Sequence, residues 1–490
     1  MARCAERPYP PVVREEAGPA GAVAKDSYVD TTTCPGYTRR YPVRREGIQV
    51  HSDTKDDGTH RGEAAMTMKE RRLGRGVAVI GGAMSQFGAF SDKSSRDLMV
   101  EAYTEALQSV DKGMDPRDIQ ALYIGNFTAD LFEGQGHLGH IIADWLGLTP
   151  RPATRIEGAC ASSGLAFREG IMAVLSGLYD VVLVGGVEKM TNVSTEAVQD
   201  YLAAASDVPF ELDQAAFTFP GLYAAMGSAY MAKYGSGREH LMHVAVKNHQ
   251  NGALNPKAQF NSSLRDIMEQ RRKRAEERGR PVPEWNDEFD FLGDPRANPQ
   301  VAWPLHLFDC APITDGASCV ILAAEEVARN YTDDLVTVVA SAQASAGPLV
   351  TWGGDITSLP STKMSAQQAY EMAGIGPNDI DLAEVHDCFT TAEIMAIEDL
   401  GFFEAGTGAL ASAEGQTARD SDRPINASGG LKAKGHPVGA TGVAQLQEVW
   451  NQLRGKAGDR QITHKDLTLG LAHNAGGTGG TCVVHVLERK

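Results

Sequence analysis

Two stretches decide the fold: Gly76-Val77-Ala78-Val79-Ile80-Gly81-Gly82, and its counterpart Val336-Thr337-Val338-Val339-Ala340-Ser341. Both are apolar, rich in β-branched residues and short, so each reads as a buried strand. Working outward from the first, helical periodicity occupies Leu98 to Val110, and Ala121-Leu122-Tyr123-Ile124-Gly125 is a second strand. His137 to Leu146 and Ala161 to Gly177 read as helices, and Val181-Val182-Leu183-Val184-Gly185-Gly186 as a strand. Outward from the second stretch come a helical segment at Ser365 to Ala373, a strand at Leu382-Ala383-Glu384-Val385, a helix over His436 to Leu453 and a last strand at Thr481 to Val486. Strands alternating with helices predict an α/β architecture with a parallel sheet. The chain thus reads as two weakly similar copies of one unit, with loops from both meeting at a shared crevice.

Boundaries follow from the same pattern. Residues 76–334 form the first half and 335–490 the second. Between them, about 201–304, the helical patterns turn polar and include the run Arg271-Arg272-Lys273-Arg274-Ala275-Glu276-Glu277-Arg278, which reads as an inserted loop domain. A charge run is usually a solvated helix face; its alternative role is to attract phosphates. Residues 1–75 are polar and aperiodic, and read as a disordered or loosely attached arm, or as sequence upstream of a natural start at Met66 or Met68.

The net charge of −17 repels a polyanion, so nucleic acid is not an expected partner. Seven cysteines (Cys4, Cys34, Cys160, Cys310, Cys319, Cys388 and Cys482) are scattered with no C-x-x-C pair. No His/Cys group has zinc spacing, so no metal is expected, and the odd count fits a reducing compartment better than a disulfide framework. Neither a membrane span nor a secretory signal is found, and the expected location is cytoplasmic.

Four blocks carry chemistry. In Glu157-Gly158-Ala159-Cys160-Ala161-Ser162-Ser163-Gly164 a cysteine stands just before a helix. The partial positive charge and free N–H groups of a helix start lower a thiol pKa and stabilise an oxyanion, whereas the alternative is a small core cysteine. His386-Asp387-Cys388-Phe389 follows a strand, where α/β folds meet their ligands; alone it reads equally as a capping pair beside a core cysteine. Ser428-Gly429-Gly430-Leu431-Lys432-Ala433-Lys434-Gly435-His436-Pro437-Val438-Gly439-Ala440-Thr441-Gly442 places His436, framed by glycines, at the expected start of a helix, where a neutral imidazole can act as a base. His473-Asn474-Ala475-Gly476-Gly477-Thr478-Gly479-Gly480 reads as a loop that offers N–H groups to an oxyanion or phosphate.

Together, in this order, the four blocks resemble the thiolase family over roughly Gly76 to Lys490. The G-H-P-x-G-A-[ST]-G block is the most specific. His386-Asp387-Cys388-Phe389 looks like the version in the sterol-carrier-protein-2-type and archaeal-type branches; the better-known biosynthetic and degradative members have N-E-A-F there. Those members also carry a C-x-G block, and here Asn474-Ala475-Gly476 stands in its place. The resemblance implies a layered α/β/α/β/α core with an inserted loop domain, and a homodimer or homotetramer. It implies reversible thiolysis of 3-oxoacyl-CoA, or Claisen condensation of acetyl-CoA with acyl-CoA, with coenzyme A as co-substrate and no permanently bound cofactor.

The roles implied are Cys160 as nucleophile, His436 as its base and Cys388 as the second acid/base. His386 and His436 would hold the enolate oxygen, and the N–H groups of Cys160 and Gly476 the other oxyanion. Phe389, Met226 and Ala311 fall at substrate-binding positions; the biosynthetic members have His-Met-Gly where Ala225-Met226-Gly227 stands here, and a serine near the coenzyme where Ala311 falls. No coenzyme-binding residues are assigned. The rivals are a thiolase-fold aldolase or lyase on a CoA-linked substrate, and a non-catalytic acyl-CoA-binding scaffold; some relatives work beside small acyl-CoA-binding proteins.

Overall fold

The computed structural model describes residues 75–213, 218–351 and 354–490. The expected N-terminal arm, with Cys4 and Cys34, lies outside them. Eleven strands occur among the described residues: β1 Val77–Met84, β2 Ala121–Gly125, β3 Ala153–Ile156, β4 Val181–Glu188, β5 Gln300–Ala302, β6 Leu305–His306, β7 Gly316–Ala324, β8 Val336–Ser345, β9 Leu382–Glu384, β10 Leu469–Gly476 and β11 Thr481–Arg489. Nine of them form one sheet in the order β3-β2-β4-β7-β1-β8-β11-β10-β9, and β5 and β6 make a separate hairpin.

The seam is the short β1–β8 ladder, where Ala78 faces Thr337 and Val79 faces Val336. On either side of it the strand senses repeat. β1–β7 and β7–β4 are antiparallel and β4–β2 parallel. Across the seam β8–β11 and β11–β10 are antiparallel and β10–β9 parallel. The duplication read from the two apolar stretches is therefore present, with β3 an extra edge strand in the first half. The sheet is mixed, not parallel, because β7 and β11 run against their neighbours.

Side-chain alternation along the strands builds the layers. Val181 and Leu183 of β4 pack with Leu98 and Ala102 of the outer helix Ser95–Gln108. Val182 and Val184 pack the other way, against Phe167, Ile171, Val449 and Trp450 of the central helices Ser162–Leu175 and Thr441–Leu453. On the far side Val484 and Val486 of β11 meet Ala366 and Ala369 of the outer helix Pro360–Ala373. The result is five layers, α/β/α/β/α, with the two central helices enclosed. Trp450 is fully buried and donates its Nε1–H to Val79 O at 3.0 Å, so its large apolar burial, about 3 kcal/mol, carries no unpaired donor.

Two sequence readings are corrected. The helix expected from His436 starts at Thr441. Other loops have taken the preceding N–H groups: His436 N–H donates to Thr314 Oγ1 (2.9 Å) and Gly439 N–H to Glu188 Oε2 (3.1 Å). The loop expected at His473–Gly480 is strand through Gly476, with Asn474 paired to Val483 of β11; only the turn after it is irregular. Polar side chains in this strand point to partners inside the protein, a pattern that hides it from hydropathy.

The inserted segment contains helices Phe219–Tyr234, Arg238–Ala253 and Leu264–Glu277. Within the basic run, Arg271 donates to Ala297 O (2.7 Å) and lies over the rings of Phe291 and Phe308, and Arg272 donates to the carbonyls of Pro283 and Trp285. These two arginines hold the insertion together.

His249, His473 and His485 are buried, and loss of water lowers each to about 3. In the unfolded chain a histidine takes up its proton near pH 6.5. Between about pH 3 and 6.5 the unfolded state therefore binds more protons, and stability, complete above that window, falls as the pH drops. The slope is up to about 1.4 kcal/mol per pH unit for each histidine. We expect Tm to decline steeply from pH 6.5 to 5 and His485→Gln to flatten the decline; a Tm independent of pH over that range contradicts neutral burial.

Candidate active site

Cys160 sits in a single turn, Ala159–Ala161, ahead of the central helix Ser162–Leu175. Ala159 has φ +52°, a left-handed conformation uncommon for a residue with a side chain, and it turns the chain sharply at the nucleophile position. A Cβ on Gly158 would lie 2.2 Å from Leu165 Cδ1, so a larger residue there would have to displace that side chain. The thiol receives backbone N–H groups from Gly477 and from Cys160 itself, yet burial dominates and pushes it up to about 12. The helix start does not make a free thiolate here.

Two imidazoles stand beside the thiol. Cys160 Sγ and one ring nitrogen each of His386 and His436 lie within 4.8 Å of one another. The imidazoles stand edge to face, 5.1 Å apart at an interplanar angle of 82°. Burial keeps both neutral, His436 down to about 3 and His386 well below its usual range. The proton of His436 can be placed from its partners. Thr441 Oγ1 has one hydrogen, which it donates to Pro437 O at 3.0 Å, so it accepts from His436 Nδ1 at 2.7 Å. Nε2 of His436 therefore carries a lone pair, and it is buried with no partner among the described residues.

The other block converges on the same place. Asp387 accepts from the N–H groups of Leu431 (2.7 Å) and Lys432 (3.2 Å) and from Asn248 Nδ2 (2.7 Å), which clamps its own loop to the glycine-rich one. Gly430, at φ +58°, is needed there because a Cβ would lie 2.2 Å from Asp387 Oδ2. Cys388 is buried, and dehydration followed by the proximity of Cys160 lifts its thiol well above the usual range.

A cavity of about 370 Å³, mainly apolar, is lined by Cys160, Cys388, Phe389, His436, Ala311 and Gly477 among others. Burial of each group, which disfavours its charged form, sets the direction of the shifts at Cys160, Cys388, His386 and His436. His386 does not itself line the cavity although a ring nitrogen is within 4.8 Å of the sulfur, and Gly477, not Gly476, offers its N–H to that sulfur. The expected substrate residue Met226 is fully buried where the insertion packs on the second half, in one cluster with Cys388 and Phe389, and does not line the cavity; Tyr223, a turn earlier on the same helix, reaches it instead. Its hydroxyl donates to Gly477 O at 3.0 Å and contacts Cys388, and its ring lies 4.8 Å from that of Phe389. Sequence reading missed Tyr223 because nothing in the motif blocks points to it; only its place in the fold does. Asn474 was read as the place of a missing cysteine, and it bonds both Cys160 and His386.

Fold and site together define an α/β/α/β/α scaffold in which a cysteine ahead of one central helix meets two neutral imidazoles beside one cavity. The model of the thiolase N-terminal domain matches residues 77–326, and that of the thiolase C-terminal domain matches residues 342–489. The chain belongs to the thiolase family. It is 47% identical over 417 residues to an acetyl-CoA acetyltransferase of Methanothermobacter thermautotrophicus, covering 85% of this chain and all of that protein. It is 31% identical to sterol carrier protein 2 of Rattus norvegicus, covering 86% of this chain and 73% of the other. A solved Ltp2-ChsH2(DUF35) aldolase superposes with a TM-score of 0.65 at 24% identity, covering 84% of this chain and 97% of that one, a likeness of fold. Among the described residues no helix is long and apolar enough to cross a membrane.

With the thiol near 12 and His436 unprotonated down to about 3, alkylation of Cys160 runs through the neutral pair. We expect its rate with iodoacetamide to stay within twofold between pH 6 and 8. His436→Ala should lower it about 10²- to 10⁴-fold, the size of a general-base contribution. An ordinary thiol titration curve, or an unchanged rate in the variant, contradicts the assignment.

Proposed function

We propose that this thiolase exchanges acyl groups between coenzyme A thioesters: 3-oxoacyl-CoA plus CoA giving acyl-CoA plus acetyl-CoA, and the reverse condensation. The observation that carries the reading is two cysteines and an unprotonated imidazole nitrogen around one mainly apolar cavity. His436 Nε2 takes the Cys160 proton as sulfur attacks the 3-oxo carbon. The bond between carbons 2 and 3 breaks, leaving an acyl-Cys160 and the enolate of acetyl-CoA. His386 and the newly protonated His436 hold the enolate oxygen, and Cys388 delivers its proton to carbon 2. The incoming CoA thiol returns a proton to Cys388 and attacks the acyl-enzyme, and Cys160 leaves with the proton stored on His436. Before it has taken that proton, His436 cannot donate to an oxyanion, so nucleophile activation and enolate stabilisation are ordered.

A route for the coenzyme is supported by a second cavity of about 360 Å³, which shares Gln259, Leu307, Cys310, Ala311 and Pro312 with the first. Arg271, Arg274 and Lys432 line it. Arg271 is already committed to the insertion, which leaves Arg274 for a phosphate. Lys432 is almost fully buried, lies 5.8 Å above the Phe308 ring and has no salt bridge among the described residues. A buried ammonium without a partner is costly, and an acceptor on the coenzyme's arm would supply one. The exposed edge strand β3 leaves one ladder free for a second copy of the chain.

Incubation with acetoacetyl-CoA should leave an acetyl group on Cys160, located by peptide mass, and added CoA should release it as acetyl-CoA. Cys388→Ala should slow turnover about 10²- to 10⁴-fold while Cys160 still reacts with an alkylating agent. Lys432→Met should raise KM for CoA at little cost in kcat. Cleavage that needs no CoA and leaves no adduct points to a lyase instead, and binding without turnover to a scaffold.

A further inference from the structure

The geometry points to Asn474 as the positioning residue that fixes the proton of His386 on Nε2, so that the two active-site imidazoles stand in opposite tautomers. The inference rests on the reaction proposed above for its consequence, but its structural content is independent of it.

The orientation of the Asn474 amide is settled by a group that can only accept. Its Nδ2 lies 3.0 Å from Cys160 O and 3.1 Å from His386 Nδ1. Turned over, the amide would set its carbonyl oxygen against the carbonyl of Cys160, lone pair against lone pair. The nitrogen therefore faces Cys160, and its second hydrogen points to His386 Nδ1, which must present a lone pair. The ring's one hydrogen is then on Nε2. Asn474 Oδ1 lies against the backbone of Gly164 and Gly442 and has no hydrogen-bond partner, a cost that the two N–H bonds offset. Among the described residues His386 Nε2 is likewise buried without a partner, which is what a donor waiting for an oxyanion looks like.

His436 is held the opposite way by Thr441. Two rings 5.1 Å apart thus differ in function through one hydrogen each: one offers a lone pair to the Cys160 proton, the other a proton to the enolate oxygen. The same side chain that orients His386 also holds the carbonyl of the nucleophile, so ring and sulfur are fixed from one atom. His386 in the other tautomer would turn a lone pair toward the oxyanion, and the site would hold two bases and no resting donor.

The test is long-range proton–nitrogen correlation NMR on ¹⁵N-histidine-labelled protein, with the His386 signals assigned by their loss in His386→Gln. The expected wild-type pattern between pH 6 and 8 is the Nε2–H tautomer. In Asn474→Asp the oxygen that replaces Nδ2 carries at most one hydrogen for these two neighbours; donated to Cys160 O, it leaves that same oxygen to accept from the ring, so His386 should change to Nδ1–H. Its kcat for thiolysis should fall about 10²- to 10³-fold, the loss typical of one oxyanion donor. KM and the alkylation rate of Cys160 should change little. A wild-type Nδ1–H pattern overturns the inference, and that spectrum needs no variant to fold. A variant that changes tautomer yet keeps its kcat overturns it as well. If wild-type protein shows the Nε2–H form but turns over no thioester, the reaction fails and the positioning role stands. If thiolysis proceeds with His386 in the Nδ1–H form, the positioning role alone fails.

Discussion

The structure depends on one close approach: the two central helices meet backbone to backbone at their N-terminal ends, through Gly164 and Gly442. A Cβ on Gly442 would lie 2.4 Å from Gly164 N and 2.3 Å from Asn474 Oδ1, so no side chain fits. The contact joins the two halves of the duplicated sheet at the point where Cys160 precedes one helix and His436 the other. Val443 N–H, in the first turn of the second helix, donates to Ser163 Oγ of the first at 3.1 Å, which fixes their register. The neighbouring Gly186 meets the carbonyl of Gly439 in the same way; a Cβ there would lie 2.1 Å from it. Small residues here let loops from opposite halves share a cavity, and larger ones would pull nucleophile and base apart.

Burial at that junction sets the chemistry. A surface cysteine at a helix start is often reactive by itself. Here loss of water outweighs the N–H groups that favour the thiolate, so the resting site carries no charge on Cys160, Cys388, His386 or His436. Hydrogen-bond direction, rather than charge, distinguishes the groups. The threonine hydroxyl behind His436 and the asparagine amide behind His386 each determine what the ring presents in front. A preorganised neutral site of this kind leaves its donors and acceptors unpaired until substrate arrives, and the unpaired nitrogens of His386 and His436 are that cost made visible.

Much of this was legible in the sequence. Val181 to Gly186 is a strand because an apolar β-branched run bounded by glycine has few alternatives, and β4 begins where it was expected. Cys160, His436, Cys388 and Phe389 carry their signal in their glycine-rich or strand-end surroundings, and the structure brings all of them to one cavity. Strand β10 escaped notice because it contains His473 and Asn474, whose partners are distant in sequence. Tyr223 and Met226 show the same limit at finer scale: which of two residues on one helix meets the cavity is decided by the helix's rotation against the core, a property that no local pattern encodes. The tautomers lie further still from the sequence, since they depend on which acceptor stands 3 Å from an amide.

The most direct measurement is the kcat of thiolysis by Gly442→Ala in protein whose near-ultraviolet circular dichroism matches the parent. One methyl group at the helix contact must displace the second helix, and with it the His436 loop, relative to Cys160. A shift of about 1 Å in a reacting pair costs on the order of 10²-fold in rate. A folded variant slowed by that factor is the expected result. A folded variant that turns over at the parental rate would contradict the central claim, that backbone contact between the two halves sets the distance between nucleophile and base.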